Sequence, residues 1–503
     1  MMNDVLANLS LGLSVAVSPV NLAFCFVGTL AGTLVGILPG VGPLATISML
    51  LPLTFVLDPT TALIMLAGIY YGAQYGGSTT AILLNVPGEA SSVVTCIEGN
   101  KLAQQGRAGA ALAIAALGSF FAGTIAAAVI FLLSPPLAKL ALAFRPADYT
   151  SLMAFGLLCS VVLASGSMIK SIGMVLVGLL FGLVGTDVNS GVMRYTLDID
   201  HLAGGIGVVA IAMALFGISD IIANLERPGQ MAIGTTAKVG RLWPSRKDFR
   251  EAAFPVLRGT GIGSILGVLP GGGAMLSSFA SYMVEKRLAG PNSRFGNGAI
   301  QGLAGPESAN NAGAQTSLIP LLTLGVPGNA LIALMAGAMM IHGIMPGPQI
   351  MTREPGLFWG LIASMWIGNL MLVIINLPLI GIWVSLLRVP YRLLFPAIVV
   401  LCAVGAYGVN NSPFEVLLMA IFAGVGFLFR KLGCEAAPLI LGFILGPMME
   451  ENLRRTLILS RGDWLVFLRE PISATFLAAS VVLALMFVLP TLRRGRQDAF
   501  QEE

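Results

Sequence analysis

Charge is scarce in this chain. Only 10% of its 503 residues are Asp, Glu, Lys or Arg, while 56% are hydrophobic, and the mean hydropathy is +0.88. A soluble globular domain carries roughly 25% charged residues. No charged residue occurs from Val5 through Leu57, and the first basic residue is Lys101. Such runs exceed the ~20 apolar residues that cross a bilayer. They exclude a soluble fold and point to an all-α polytopic membrane protein. The opening apolar run lacks a basic n-region, so it reads as a retained membrane segment and not as a cleaved signal.

Other absences narrow the function. The five cysteines (Cys25, Cys96, Cys159, Cys402, Cys434) are scattered with no paired spacing, which argues against a disulfide framework or a thiolate metal site. The two histidines, His201 and His342, have no metal-ligand spacing around them. No paired-Asp, Ser–His or HExxH constellation is present; Ser78 has no histidine in a comparable motif, and Asp463 sits in a charged loop. The chain is therefore not expected to be an enzyme or to hold a cofactor. Seven basic residues do cluster between Arg227 and Arg258. Without an aromatic platform they do not describe a nucleic-acid surface; the positive-inside rule makes this stretch, and the C-terminal tail, cytoplasmic.

What the chain has in abundance is glycine and proline, 61 and 28 residues. They fall in a repeated pattern. "GTLAGTLVGILPGVG" (28–42) aligns with "GTGIGSILGVLPGGG" (259–273), and "GAQYGGSTTAILLNVPGEA" (72–90) answers "GAQTSLIPLLTLGVPGNA" (313–330) with a one-residue gap. Two motifs recurring in order indicate a duplication, a hallmark of secondary-transporter folds. Helix packing through small residues explains GxxxG spacing but not the matched LPG and VPG breaks. About eleven uncharged residues flank each side of "LPGGG", ~16 Å as helix, or half a membrane. Proline and several glycines stop a helix there, giving either a broken crossing helix or a re-entrant hairpin. Arg258 before it, with Lys286 and Arg287 after it, favours the hairpin.

Basic residues also distribute oppositely over equivalent loops: "VLDPTT" has none where "VEKRLAGPNSR" has three, and "EGNKLAQQGRAG" has two where "HGIMPGPQIMTREP" has one. That bias predicts two inverted repeats, with about 11 to 14 membrane segments in all. The expected division is a first membrane repeat at 1–224, a basic cytoplasmic linker at 225–258 and a second membrane repeat at 259–450. A membrane helix and cytoplasmic tail follow at 451–503.

Breaks of this kind expose N–H groups at half-helix starts, which suit a carboxylate. Unwound carbonyls with side-chain oxygens suit a small cation. The substrate-binding candidates are Pro39, Gly40, Gly42, Ser78, Thr79, Thr80, Asn85, Pro87 and Gly88 in the first repeat. Pro270, Gly271, Gly272, Gly273, Pro327, Gly328 and Asn329 are their counterparts in the second. The ion-coupling candidates are Gln74, Glu307, Ser308, Asn310, Asn311, Gln315, Thr316 and Ser317, a set that could take Na⁺. No Lys or Arg lies from Phe295 through Thr352 or before Lys101. An anionic substrate would then need backbone dipoles and a co-transported Na⁺ or H⁺. Glu307 is either the buried coupling group or a carboxylate at a loop edge. Glu89 follows one VPG tip where Asn329 follows the other, so a polar oxygen is expected to matter there more than a charge.

The stretches "GTLVGILPGVGPLATISMLLPLTF", "YYGAQYGGSTTAILLNVPGEASSV", "GPESANNAGAQTSLIPLLTLGVPGN" and "IHGIMPGPQIM" closely resemble the large membrane subunit of tripartite tricarboxylate transporters, and the likeness extends over nearly the whole chain. The resemblance implies a bacterial inner-membrane permease. It would work with a small four-helix membrane subunit and a periplasmic solute-binding protein, importing citrate or other carboxylates down an ion gradient. The chain contains no GxxxxGK[ST] phosphate loop, in keeping with transport that does not hydrolyse ATP. A stand-alone organic-anion channel or exporter is the alternative reading. Alternating access would move the site relative to a scaffold, as in an elevator, with rocking as the alternative.

Overall fold

The computed structural model describes residues 2–38, 42–164, 167–187, 190–226, 239–269, 273–290, 293–386 and 391–488. The tips Pro39, Gly40, Pro270, Gly271 and Gly272 lie outside the described residues, as does 227–238 of the basic linker. The remainder is almost wholly helical. The first half contains α1 (Met2–Ala16), α2 (Pro19–Ile37), α3 (Pro43–Leu50), α4 (Pro59–Leu84), α5 (Val93–Leu102) and α6 (Ala108–Ala141). Then come α7 (Pro146–Leu163), α8 (Met168–Gly182), α9 (Val208–Ala212) and α10 (Ser219–Glu226). The second half holds α11 (Arg246–Leu266), α12 (Gly273–Ala289), α13 (Ile300–Thr316), α14 (Leu318–Leu324) and α15 (Ala330–Ile341). The chain continues with α16 (Ile350–Arg353), α17 (Pro355–Asn376), α18 (Ile380–Leu386), α19 (Tyr391–Asn410) and α20 (Pro413–Lys431). It closes with α21 (Ala436–Leu459), α22 (Val466–Arg469) and α23 (Pro471–Val488).

Local chemistry explains where the key helices start. Proline opens α2, α3 and α4, where its missing N–H costs nothing. Ser18 and Asp58 cap α2 and α4 through their side chains, and Ser245 with Asp248 forms a reciprocal capping box on α11. By length and composition, four helical stretches suffice to cross a membrane: 19–37, 90–141, 355–376 and 413–431. Seven shorter apolar helices of 10–17 residues accompany them among the described residues.

The chain forms two compact units, each drawing on both halves of the sequence. The larger comprises Met1–Ala138 with Gly207–Leu428. Its organising contacts are glycine ladders. A Cβ built on Gly28, Gly32 or Gly36 of α2 would stand 2.3, 2.3 and 2.4 Å from the carbonyl oxygens of Met65, Ile69 and Ala73 on α4. On α11, a Cβ at Gly259, Gly263 or Gly267 would meet the carbonyls of Gly305, Ala309 and Gly313 at 2.1, 2.3 and 2.5 Å. Only glycine permits backbones this close. Both ladders ascend together, so α2 runs parallel to α4 and α11 parallel to α13.

Parallel neighbours oblige the chain to return between them. In the second half, Arg258 of α11 donates two hydrogen bonds to Glu285 of α12, at 2.7 and 2.6 Å. On one continuous helix those residues, 27 apart in sequence, would be about 40 Å apart. The chain therefore doubles back between α11 and α12, which rules out the broken crossing helix. In the first half α3 and the 3₁₀ turn Leu51–Val56 make the same return.

The smaller unit joins Lys139–Ile206 to Phe429–Glu503. Here α8 and α21 meet through Gly178 and Gly442, whose Cβ atoms would lie 2.0 and 2.5 Å from the Leu439 and Val175 carbonyls. A two-stranded hairpin, Gly185–Thr186 with Met193–Arg194, is tied to α21 by Arg194–Glu450 and Arg454–Asp187 ion pairs, both 2.8 Å.

The ladder yields a direct test. Gly32→Ala forces overpacking against the Ile69 carbonyl and is expected to cost about 1–3 kcal/mol. Gly261→Ala, which meets nothing within 4 Å, is expected to be neutral. Thermal unfolding of the detergent-solubilised variants reads the difference.

Candidate functional site

At the centre of the larger unit lie α4 and α13, the two helices that the glycine ladders hold. From Thr61 through Leu83, and from Gly302 through Thr316, every residue is buried. Both carry polar side chains on what would otherwise be core faces. They run antiparallel to one another: Ser78 of α4 meets Glu307 of α13, while Tyr70, two turns earlier, lies against Ser317 just beyond α13.

Glu307 is fully buried in the interior of α13, so the loop-edge alternative falls. Its Oε2 accepts from the Ser78 hydroxyl at 2.7 Å and its Oε1 from the Thr95 hydroxyl of α5. Asn311 donates to the Glu307 main-chain carbonyl at 3.0 Å and to Ser119 of α6 at 2.7 Å. Among the described residues no basic side chain pairs with Glu307. A cavity of about 20 Å³ adjoins it, lined by Tyr75, Ser78, Thr79, Ser119 and Asn376 among others, room for about one water-sized occupant.

The two VPG tips have matching backbones. Asn85 and Gly325 are both left-handed, with φ 58° and 74°. Glu89 (φ −151°, ψ 167°) and Asn329 (φ −153°, ψ 172°) then cap the helices that follow. At Glu89 the main chain makes the cap: the Ser92 N–H donates to the Glu89 carbonyl at 3.1 Å, and the Glu89 N–H donates to the Ser92 hydroxyl at 3.3 Å. The Asn329 Oδ1 accepts from Ile332 N at 3.0 Å. Each cap faces the polar helix of the other half: Asn310 of α13 lies beside Glu89, and Tyr70 of α4 beside Asn329. The turn Ala90–Ser92 packs against α12, and α15 packs against α3. Exposure differs, however. Asn85, Val86 and Pro87 are exposed, whereas Gly325 through Gly328 are buried; the Pro346 carbonyl would sit 2.5 Å from a Gly325 Cβ.

Of the residues singled out by the sequence, this arrangement gathers Gln74, Ser78, Glu307, Asn310, Asn311, Ser317 and Asn329. Gly273 (φ 47°) belongs with them, since its Cβ would be 3.1 Å from the Asn329 amide. Gly88 packs on the backbones of Gly36 and Gly77. Gly42 is the N-cap of α3, with open space around it. Thr79 bonds back to the Tyr75 carbonyl, and Thr80 to that of Gly77. Pro327 and Gly328 are enclosed at the second tip. Others point elsewhere: Ser308 bonds back to Ala304 and faces Gly118, Thr316 packs on Gly267, and Gln315 donates to Asn369 of α17 at 2.7 Å. Sequence reasoning missed Tyr70, Tyr75, Ser91, Thr95, Ser119, Asn369 and Asn376. The one available signal was that a carboxylate in an uncharged run must find hydroxyl or amide donors somewhere.

A second buried carboxylate braces the site. Glu98 of α5 accepts from the Tyr282 hydroxyl at 3.0 Å and from the main-chain N–H groups of Gly296, Gly298 and Ala299 at 2.5, 2.8 and 2.8 Å. It thereby ties α5 to the turn that starts α13.

Long uncharged helices, two fully buried polar helices and interrupted helices meeting at a buried carboxylate define a multi-pass membrane protein built around an internal polar site. The profile described as "Tripartite tricarboxylate transporter TctA family" matches residues 22–441. The chain belongs to that family and is thus a transporter component. It is 55% identical over 502 residues, 100% of both chains, to an "Uncharacterized 52.8 kDa protein in TAR-I ttuC' 3'region" of Agrobacterium vitis. It is 56% identical over 241 residues, 48% of this chain and 100% of the relative, to an "Uncharacterized protein in TAR-II ttuC' 3'region" of the same organism. No solved structure matches it.

The Glu98 brace is testable. Glu98→Ala leaves three main-chain N–H groups unpaired, at about 1–3 kcal/mol each. Its melting temperature should fall well below that of the native protein, with Glu98→Gln between the two.

Proposed function

We propose that the chain is the large permease subunit of a binding-protein-dependent secondary transporter. It imports tricarboxylates or related small carboxylates across the bacterial inner membrane, driven by Na⁺ or H⁺. Its partners are a small four-helix membrane subunit and a periplasmic solute-binding protein. The observation that carries this reading is Glu307, buried where α4 and α13 cross and, among the described residues, without a basic partner. A bare carboxylate there is costly, and a proton or Na⁺ relieves the cost. An ion held at the same crossing as the helix breaks couples naturally to a substrate bound there.

The halves 1–224 and 259–450 are read as inverted repeats. Three features support this: parallel glycine-ladder pairs within each half, antiparallel α4 and α13 between halves, and the reciprocal facing of Glu89 by Asn310 and of Asn329 by Tyr70. The returns after α2 and α11 would then be re-entrant from opposite faces. The substrate carboxylate is held at the tips by N–H groups of α3 and α12, where close approach requires glycine. The conformational cycle is an elevator-type movement of this site.

Two outcomes test the proposal. Gly42→Val should insert and assemble normally, since open space surrounds that position, yet lose carboxylate uptake by roughly tenfold or more, about 1.4 kcal/mol. Normal uptake removes the first tip from the substrate site. Ser245→Cys should label in intact cells only after the membrane is permeabilised; labelling from the periplasm refutes the cytoplasmic linker.

A further inference from the structure

The two VPG caps have the same backbone but not the same charge. At one the N-cap residue is Asn329, whose amide oxygen takes the Ile332 N–H; at the other it is Glu89, where the Ser92 N–H goes to the main-chain carbonyl. The Glu89 carboxylate is not used by the cap, so it calls for another explanation. Its surroundings supply one. Glu89 is partly buried and stands beside the exposed tip Asn85–Pro87. No basic side chain pairs with it among the described residues; the acidic neighbour whose field it feels is Glu307.

Between the two carboxylates lie oxygens of Ser91, Gln74 and Ser78, from side chain and main chain alike. The Ser91 hydroxyl reaches Glu89 Oε1 and lies 3.0 Å from Gln74 Oε1. One turn along α4, Ser78 joins the Gln74 main-chain carbonyl, at 2.9 Å, to Glu307. With the Gln74 carbonyl facing it, Ser91 has one proton for two acceptors, and a protonated or cation-bound Glu89 resolves the shortage. Asn310 supplies an independent observation. It is fully buried one turn from Glu307, its amide stands next to the Glu89 carboxylate, and no hydrogen bond of normal geometry satisfies its Oδ1 or Nδ2. Buried amides seldom go unused, and an amide oxygen is a ligand for a hard cation.

We propose that Glu89 and Glu307 form one two-carboxylate coupling site that loads two small monovalent cations, Na⁺ or H⁺, with Glu89 at the open mouth and Glu307 at the closed end. This rests on the reading of Glu307 as a coupling group and adds the second carboxylate and the count. Asn310 Oδ1 and the Ser78, Ser91 and Thr95 hydroxyls serve as neutral ligands. The other titratable groups facing the pair are Tyr70 and Tyr75 of α4 and Cys96 of α5. On α12, Tyr282 bonds Glu98 and Glu285 is held by Arg258; α15 carries no titratable side chain. Among the described residues no basic side chain is in place to balance the two carboxylates.

Binding of the cation alone to purified protein tests this without a known substrate. One arm measures equilibrium binding of radioactive Na⁺ at pH 8. The other measures proton uptake between pH 9 and 5 in Na⁺-free solution, as the difference from the native protein. The variants are Glu89→Asn, which installs the residue found at the equivalent cap, and Glu307→Gln. The native chain should bind about two Na⁺, and each variant about one. If protons are the ions, Na⁺ binding is absent and each variant takes up about one proton fewer. Loss of one cation in Glu307→Gln but not in Glu89→Asn overturns this inference and leaves the coupling role of Glu307 standing. No difference from native in either variant overturns both. Should Glu89→Asn fail to assemble, the native count decides: a total of about one Na⁺, abolished in Glu307→Gln, overturns the proposal.

Discussion

The structure of the larger unit depends on how closely two pairs of helices approach. Where Gly28, Gly32 and Gly36 meet α4, and Gly259, Gly263 and Gly267 meet α13, backbone touches backbone with no side chain between. In an apolar surrounding the hydrophobic effect does not hold helices together, so dispersion at this range takes over. One consequence is geometric. Two parallel helices in such contact force the intervening chain to turn back, once between α2 and α4 and once between α11 and α13. Another is chemical: with the outer helix holding α4 and α13 by their backbones, the remaining faces of those helices are free to carry Gln74, Ser78, Glu307 and Asn310.

Much of this was legible in the sequence, because glycine spacing and proline breaks are backbone signals that survive without knowledge of partners. The recurrence of GxxxGxxxG ahead of LPG marked both ladders, and the basic residues flanking "LPGGG" favoured the return that Arg258 and Glu285 display. Register was less secure. The shared GAQ triplets suggested a one-residue gap before VPG, but the ladders pair Ala73 with Gly36 and Gly313 with Gly267, a correspondence that runs ungapped to Asn85 and Gly325. Three identical small residues are weak evidence beside a backbone contact. Long-range partners were beyond reach altogether. Thr95 and Glu307 are 212 residues apart, and nothing local tells a threonine on a short helix which carboxylate it will serve.

Read as repeats, the two halves differ by single residues at matching places. Equivalent caps carry Glu89 and Asn329, and equivalent positions facing them carry Tyr70 and Asn310. One tip is open while the other lies beneath the Pro346 carbonyl. At the two VPG tips the backbone dihedrals match while the chemistry differs, which is what separates a framework from the site mounted on it.

The absence of Lys or Arg from the polar crossing has a consequence for leakage. The proposed gradient-driven importer must not let its cargo run back when the gradient fails. Once ionised, Glu307, with Glu89 near it, would repel an anion that arrives without its cations. If Na⁺ or H⁺ drives import as proposed, a carboxylate would find the crossing tolerable only after the cations had entered. The order of loading would then follow from the charge of the site, and the carboxylates proposed to harness the gradient would also check back-flow when it collapses.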